Sequence, residues 1–360
     1  MGKRMYVING KFMADRMQGV VRYARELCGA LDAALDKESL AVKMLVPPSA
    51  HDVPSYKNIR VEVIGRRAGI AWEQGELGRW LRQHQDATCI NLCNVSPIGV
   101  KPGITALHDV MYKAHPEFYV SLRNRLSRLY HILQYRYVVK HEKAILTVSQ
   151  FSKSEIEKYY PTARGKVYVV ENAWQHVTRY PTSKDWQEAF PRLKPGKYYF
   201  SMATLAKNKN GRWIIETAKR NPAELFAIAG KRYEADKLEI PDNLLLLGFI
   251  SDEHASALIQ NCKAFLFPSL YEGFGLPPLE ALALGAMVIS SNTSSLPEVL
   301  GDAAYYIDPM EPISSIGSIE RIDQAKVDET LGRYSWEKSA RELLELLKQN
   351  VTEKNAGEFS

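Results

Sequence analysis

Residues 264–285, AFLFPSLYEGFGLPPLEALALG, read as a strand, a glycine-rich loop and a helix. Residues 264–268 are a short apolar run of the kind that forms a buried parallel strand. Pro277 and Pro278 suit the first turn of a helix over 279–284, and Gly285 is placed to end it. The loop therefore presents backbone amides near a helix start, where the helix dipole favours an anion.

Two glutamates flank this loop, with seven residues between Glu272 and Glu280. Glu272 is placed to accept hydrogen bonds from sugar hydroxyls, and Glu280 lies about one turn into a helix whose start could hold a phosphate. The pattern predicts a nucleotide-sugar site. A structural role stays open, because the dipole alone favours glutamate in a first turn. A dinucleotide fingerprint does not fit, since Pro278 stands where its third glycine belongs.

Short apolar runs alternate with helical stretches along the chain, which predicts parallel sheets with helices on both faces. The polar segment 180–197 contains three prolines and is the predicted linker. We therefore predict two doubly wound, Rossmann-like α/β domains, residues 1–180 and 181–335, with a cleft at the carboxyl ends of their strands. The strand candidates are 5–8, 43–46, 61–63, 88–92, 104–107, 145–148, 167–170, 198–202, 225–229, 244–247, 264–268, 287–290 and 304–307.

Composition narrows the class of partner. The net charge of +6 favours anionic partners, whereas no zinc-finger, RNP or helix-turn-helix signature points to nucleic acid. No run approaches 18 apolar residues, and residues 1–10 lead directly into a predicted strand, so neither a membrane span nor a secretory leader is expected. The four cysteines lack a pairing or metal-ligand pattern, which is typical of reduced thiols in a cytosolic protein.

From Tyr271 to Pro309 the sequence resembles glycosyltransferase family 4, with matched glycine and proline positions. The resemblance implies the GT-B fold and a retaining hexosyltransferase that uses a nucleotide sugar without a metal or other cofactor. It implies an acceptor-binding first domain, a donor-binding second domain, and a helix over 336–350 that crosses back to the first. The Tyr-Glu-Gly-Phe-Gly-Leu-Pro-Pro version is similar to that of bacterial polysaccharide mannosyltransferases, which favours GDP-mannose.

The same resemblance implies a saccharide acceptor that is lipid-linked, used in the synthesis of O-antigen, capsule or exopolysaccharide. A cytoplasmic enzyme, peripheral at the inner face of the membrane, would suit such an acceptor. Two other functions stay open. A GT-B epimerase would convert the nucleotide sugar without any acceptor, and a non-catalytic scaffold would bind it and transfer nothing.

In the second domain, Lys209 and Asn210 match the family's phosphate-binding turn, but Asn208 stands where an arginine is usual. Lys207 is the candidate replacement, although an ammonium group cannot reproduce a bidentate guanidinium. The resemblance implies that Lys209 stabilises the departing diphosphate and that Glu272 holds the sugar. Other implied donor contacts are Glu280 on the ribose, Phe249 at the base, and the loop residues Gly273, Phe274, Gly275 and Leu276.

In the first domain, Gly19 opens a helix after the first strand, and the resemblance implies that its amide meets the donor phosphate with help from Arg22. Many relatives carry two glycines there, so the match is partial. His108 directly follows strand 104–107, at the end where the family often has His-Asp near the acceptor, and is implied as catalytic. A structural histidine at a strand end is the alternative.

Residues 111–143 form a basic stretch, with seven Lys or Arg against two acidic residues. Four leucines within it recur at helical spacing: Leu122, Leu126, Leu129 and Leu133. One interpretation is a helix packed on the domain by these leucines, with a solvated basic face. The other is a membrane-surface patch, where each basic residue near anionic lipid contributes about 1 kcal/mol.

Overall fold

The computed structural model describes residues 5–35, 40–179, 181–202, 206–230 and 238–357, with side chains to residue 349. Its contacts divide into two units, residues 1–172 with 336–360 and residues 173–335. The first unit thus ends eight residues before the boundary predicted at 180. The cause is the segment after Asn172, where the Trp174 indole N–H donates to the Leu331 carbonyl at 2.9 Å and ties the chain to the second unit.

A parallel sheet forms the centre of the first unit. Its strands are β1 (Met5–Asn9), β2 (Ala41–Val46), β3 (Arg60–Val63), β4 (Ala87–Asn91), β5 (Ile104–Ala106), β6 (Ala144–Thr147) and β7 (Val167–Val169). The seven strands lie in the order β3-β2-β1-β4-β5-β6-β7. In the central register, Val7 of β1 lies beside Lys43 of β2 and Cys89 of β4. All five residues of β4 are buried, as expected for a strand covered on both faces.

Helices of the first unit are α1 (Gly19–Ala34), α2 (Gly78–Gln83), α3 (Met111–Ala114), α4 (Leu122–His141) and α5 (Gln150–Tyr159). A π-helical segment, Ala71–Leu77, runs directly into α2. Trp72 and Leu77 of that segment pack with Val7 and Leu45 against one part of the sheet. The segment is thereby packed against β1 and β2.

The second unit has its own parallel sheet. Its strands are β8 (Tyr198–Ser201), β9 (Leu225–Ala229), β10 (Leu244–Gly248), β11 (Ala264–Phe267), β12 (Val288–Ser291) and β13 (Tyr305–Ile307). The six strands lie in the order β10-β9-β8-β11-β12-β13. Its helices are α6 (Trp186–Ala189), α7 (Gly211–Arg220), α8 (Asp252–Asn261), α9 (Leu276–Ala283), α10 (Leu296–Leu300) and α11 (Gln324–Gly332).

Every predicted strand is present in the two sheets, and the predicted doubly wound α/β architecture is confirmed. The last helix, α12 (Trp336–Gly357), packs with the first unit through α1, and the Tyr6 hydroxyl donates to the Leu347 carbonyl at 2.7 Å. It runs beyond the predicted end at 350, because no proline or glycine interrupts the chain before Gly357.

The leucines of α4 do not pack on the domain, so the first interpretation of this helix is wrong. Its C-terminal half is anchored by a buried face made of Gln134, Tyr135, Val138 and Val139. The leucine side lies opposite, and all four leucines are more than half exposed. No described helix has the length and hydrophobicity needed to cross a bilayer.

Candidate functional site

Lys209 and Glu272 meet at the carboxyl ends of two adjacent strands. The strand order of the second sheet reverses at β8, which has β9 on one side and β11 on the other. Loops that leave such a switch point diverge and open a crevice, the usual ligand position in doubly wound sheets. Lys209 follows β8 and Glu272 follows β11, and the Lys209 Nζ lies 2.6 Å from the Glu272 Oε1. The two charges are thus paired at the edge where ligands bind.

The backbone around Glu272 is held on both sides. Its amide donates to the Ser294 Oγ at 3.1 Å, and its carbonyl accepts from the Ser295 hydroxyl at 3.0 Å. Lys209 is held as well, with its Nζ 5.4 Å from the centre of the Phe267 ring. Both side chains remain partly exposed. The arrangement presents a fixed carboxylate and a fixed ammonium group to a ligand, which suits sugar hydroxyls and an anion respectively.

Asn210 stabilises the loop that carries Lys209. It adopts the left-handed conformation at φ +54° just before α7. Its amide nitrogen donates to the Pro268 carbonyl at 3.1 Å and to the Pro309 carbonyl at 2.8 Å. Both amide hydrogens are therefore used within the protein, and Asn210 positions the loop through them. Direct donor contact by Asn210 stays a prediction.

Asn208, at the position where the family usually has an arginine, has a structural role. The Asn208 carbonyl accepts from the Leu270 amide at 2.8 Å and ties the loop after β8 to the loop after β11. Lys207, the candidate replacement, is exposed, and no ion pair of its side chain is found in the described part of the chain. Residues 203–205 of the same turn lie outside the described residues. Lys207 remains a prediction as a phosphate ligand.

Gly275 permits the turn from the loop into α9. Its φ of +96° is a left-handed value, and a Cβ there would lie 2.4 Å from the Leu296 Cδ2. Of the first three residues of α9 only Leu276 carries an N–H, because Pro277 and Pro278 have none. The start of α9 is therefore a weaker anion site than the sequence suggested. Amides offered to a ligand must come from the loop Gly273–Leu276 itself.

Phe274 and Leu276 are buried, and the Phe274 ring lies edge-on to the Tyr334 ring at 5.4 Å. Their side chains anchor the loop, so any role in donor binding belongs to their backbone. Phe249 differs. It follows Gly248 at the end of the edge strand β10, and its side chain is 91% exposed. It is free to stack on a flat ligand, and its predicted role at the base is untested.

Glu280 has a partner that sequence reasoning missed. The Oε1 of Glu280 lies 2.6 Å from the Nε2 of His176, which is fully buried in the turn Gln175–Arg179. The histidine lies 104 positions earlier, in a segment that the sequence places at the end of the first domain. This contact fixes the carboxylate near the start of α9. Binding of the ribose by Glu280 stays a prediction.

In the first unit, Gly19 is the first residue of α1 and is exposed. The first intrahelical bond runs from the Arg22 amide to the Gln18 carbonyl at 2.8 Å. The amides of the residues between them therefore have no acceptor within the helix. A Gly19 amide without an acceptor in the helix is compatible with the predicted contact to the donor phosphate. The roles of Gly19 and Arg22 stay predictions.

His108 is buried directly after β5. Its Nε2 lies 2.9 Å from the Leu92 carbonyl, so Nε2 carries the hydrogen, and the Tyr23 ring lies edge-on at 4.8 Å. Burial lowers the pKa of the His108 imidazole to about 4, although the bond to Leu92 opposes the shift. The imidazole is therefore uncharged near neutral pH. A catalytic role would have to use this neutral ring and stays a prediction.

A second polar site, which the sequence did not reveal, lies at the switch point of the first sheet. Glu73 sits in the π-helical segment and is buried, and its Oε1 accepts from the Asn9 amide at 2.8 Å. Its Oε2 is buried without a hydrogen-bond partner. Burial raises the pKa of the Glu73 carboxyl, although Lys11 and Asn9 oppose the shift. Burial lowers the pKa of Lys11, but the carboxylates of Glu73 and Asp15 outweigh it and raise it overall.

Glu73 lines a cavity of about 740 Å³. The cavity also receives Lys11 from the turn after β1, Asn94 from the loop after β4, and Tyr130 and Leu126 from α4. It combines an ionisable pair with aromatic and aliphatic walls. Such a lining suits a sugar, whose hydroxyls need polar partners and whose ring faces pack on aromatic side chains. No sequence pattern marked Glu73, because its hydrogen-bond partner Asn9 lies 64 residues away.

Comparison with solved structures confirms the fold. Sucrose-phosphate synthase from Thermosynechococcus elongatus superposes with a TM-score of 0.70 at 16% identity, over 98% of this chain and 100% of that one. Anabaena HepE, solved in complex with UDP-glucose, superposes with a TM-score of 0.66 at 15% identity, over 96% and 99%. At these identities the likeness shows the fold alone. The chain has the predicted GT-B fold.

Residues 183–342 match the family model of glycosyl transferases group 1. This match and the curated mannosyltransferase relatives confirm the resemblance to glycosyltransferases. The O-antigen chain mannosyltransferase B of Escherichia coli is 31% identical, over 59% of this chain and 59% of that protein. The chain spans less than two thirds of the length of the curated relatives that it matches first.

Proposed function

We propose that the chain is a retaining glycosyltransferase that transfers a hexose from a nucleotide sugar to a saccharide acceptor. The Lys209–Glu272 pair at the switch point of the second sheet carries this proposal. The family match and the mannosyltransferase relative support it, and that relative makes GDP-mannose the favoured donor. The product would belong to a surface polysaccharide, made on the cytoplasmic side of the membrane.

The chemistry needs little more than positioned charge. The bond between the anomeric carbon and the phosphate oxygen breaks, and the acceptor hydroxyl oxygen bonds to that carbon on the same face and passes its proton to the departing phosphate oxygen. Negative charge grows on the departing diphosphate, where the ammonium of Lys209 would stabilise it. Glu272 would accept hydrogen bonds from the sugar hydroxyls and hold the ring for same-face attack. No metal is required in this scheme.

The donor assignment predicts a ligand-dependent rise in melting temperature. A ligand that binds only the native state raises Tm. Because GDP-mannose is the favoured donor, we expect it to raise Tm more than UDP-glucose or a dTDP-sugar. At 100 times Kd a ligand stabilises by about 2.7 kcal/mol, which a thermal-shift assay resolves easily. The control is the Lys209→Ala variant, which should lose most of the shift. If none of the three nucleotide sugars raised Tm, the donor-site assignment would be wrong. Conversion of the nucleotide sugar in the absence of an acceptor would instead indicate an epimerase.

The cavity at Glu73 is the proposed acceptor site in the first unit. The Glu73 Oε2 is buried without a partner, and a hydroxyl of the bound saccharide would donate a hydrogen bond to it. Such a bond would also explain why an unpaired carboxylate oxygen is kept at this position. We propose that the acceptor is lipid-linked, which fits a polysaccharide grown at the inner face of the membrane.

Glu73→Gln is expected to raise KM for the acceptor by about tenfold or more while changing the donor-induced Tm shift little. The loss of a charged acceptor weakens one hydrogen bond by roughly 1.5 kcal/mol, which gives that factor. Initial rates at varied acceptor and saturating donor measure it. Glu76→Gln makes the same change on a half-buried residue of the same segment that does not line the cavity. Equal kinetics in the two variants would move the acceptor elsewhere.

A further inference from the structure

The leucines of α4 form a continuous apolar stripe. Their spacing of four, three and four residues places them on one face of the helix. Leu122 is 75% exposed, Leu126 61%, and Leu129 and Leu133 54% each. Val120, just before the helix, is exposed as well. A contiguous exposed stripe of this kind marks an interaction surface rather than ordinary scattered apolar residues.

The surface around the stripe is basic. Arg123, Arg125, Arg136 and Lys140 are exposed, and within the described residues none of them forms an ion pair. Glu142, one of two acidic residues in this stretch, is buried and accepts from the Ser96 hydroxyl. The exposed face of the helix therefore presents leucines flanked by uncompensated positive charge. Apolar residues between unpaired cations are the pattern of a helix that lies in a membrane interface.

We propose that this surface, the leucine stripe of α4 with its flanking basic residues, docks the chain on an anionic lipid bilayer. The leucines would enter the acyl boundary while the arginines meet anionic headgroups. A second copy of the chain fits less well, because two such faces would bring arginines against arginines. The buried face of α4 is held by Tyr135, Val138 and Val139, so the helix can present its leucines without leaving the domain.

The stripe also reaches the proposed acceptor cavity. Leu126 belongs to both, because it is exposed on α4 and lines the cavity that contains Glu73. A lipid-linked saccharide held in the bilayer would thus have its sugar delivered beside Glu73. This purpose rests on the proposed transferase function, whereas the docking itself can be measured without turnover.

The test is sedimentation of the full chain with vesicles. We expect the protein to sediment with dioleoylphosphatidylglycerol mixed into dioleoylphosphatidylcholine and to stay in solution with dioleoylphosphatidylcholine alone. Arg123→Gln with Arg125→Gln should weaken vesicle binding roughly 30-fold, from about 1 kcal/mol for each charge. The matched control is Arg60→Gln with Arg66→Gln, two exposed arginines away from α4, which should bind like the unaltered chain.

The apolar contribution is tested with Leu122→Ser, Leu129→Ser and Leu133→Ser together, which should weaken binding by at least about tenfold. Leu126 is left unchanged because it lines the cavity. Val63→Ser with Ile98→Ser, exposed apolar residues elsewhere in the first unit, is the control. Equal binding to both vesicle types, or leucine variants that bind normally, would overturn the proposal. So would a dimer in solution that the leucine variants dissociate while no vesicle is bound.

Failure of docking and failure of the proposed function give different results. If transfer to a soluble acceptor is measured but no vesicle sediments the chain, the docking surface is wrong and the transferase stands. If vesicles sediment the chain through these residues but no nucleotide sugar shifts Tm, the docking stands and the transferase is wrong. With both correct, the leucine variants should keep their rate on a soluble acceptor and lose it on a lipid-linked acceptor in vesicles.

Discussion

Replacing Glu272 with alanine is expected to lower the rate of sugar transfer by about 100-fold or more. The reason is that Glu272 is a preorganised group, with its backbone fixed by Ser294 and Ser295 and its carboxylate fixed by Lys209. Losing one such contact to a transition state costs two to three orders of magnitude in other enzymes. The measurement is kcat at saturating donor and acceptor, with product followed by release of the free nucleotide.

Folding should survive this change, since Glu272 and Lys209 are both partly exposed and water can solvate the lysine left behind. An unchanged melting temperature would establish that the loss is catalytic. Glu298→Ala is the control, because Glu298 is a glutamate in the first turn of α10, in the same unit, and has no assigned role. If Glu272→Ala retained near-normal turnover, Glu272 would be a structural residue of the loop between β11 and α9, and the sugar site would lie elsewhere.

The fold could be predicted because its strands are short apolar runs with clear ends. Residues 264–268 illustrate this, since the observed strand stops at Phe267 and excludes only Pro268, which has no N–H for the ladder. The sequence assigned Lys209 and Glu272 to the same donor site but did not predict their ion pair. They lie 63 residues apart, but each follows a strand that borders the same switch point, and parallel strands bring such ends together.

Other features depend on contacts that no local pattern encodes. The partner of Glu280 is His176, from a turn that sequence assigned to the other domain, and the burial of Glu73 is set by a distant strand end. The stripe on α4 shows a further limit. Helical periodicity identifies an apolar face, but whether that face is covered depends on which side of the helix the domain occupies. Here the domain packs against the opposite side.

Lys209→Ala is expected to have the larger effect, a loss of about 1000-fold in kcat/KM for the donor. Lys209 is the cation that the second unit places at the carboxyl end of β8, and the usual arginine is replaced by Asn208, which is engaged through its backbone. Little charge nearby can compensate, because Lys207 is exposed and no carboxylate among the described residues pairs with it. Lys209→Arg should recover part of the rate, since it restores the positive charge but presents it on a planar guanidinium in place of a compact ammonium group.

Kinetics of the double variant decide whether the pair acts as one unit. If Lys209 stabilises the diphosphate and also orients Glu272, then Lys209→Ala already removes both effects. The double variant with Glu272→Ala should then lose little beyond the single Lys209→Ala loss, as is seen when residues act together. Losses that multiply instead would mean that the 2.6 Å contact is incidental to catalysis. In that case each residue would need its own ligand contact, and the fixed pair could no longer carry the assignment of the donor site.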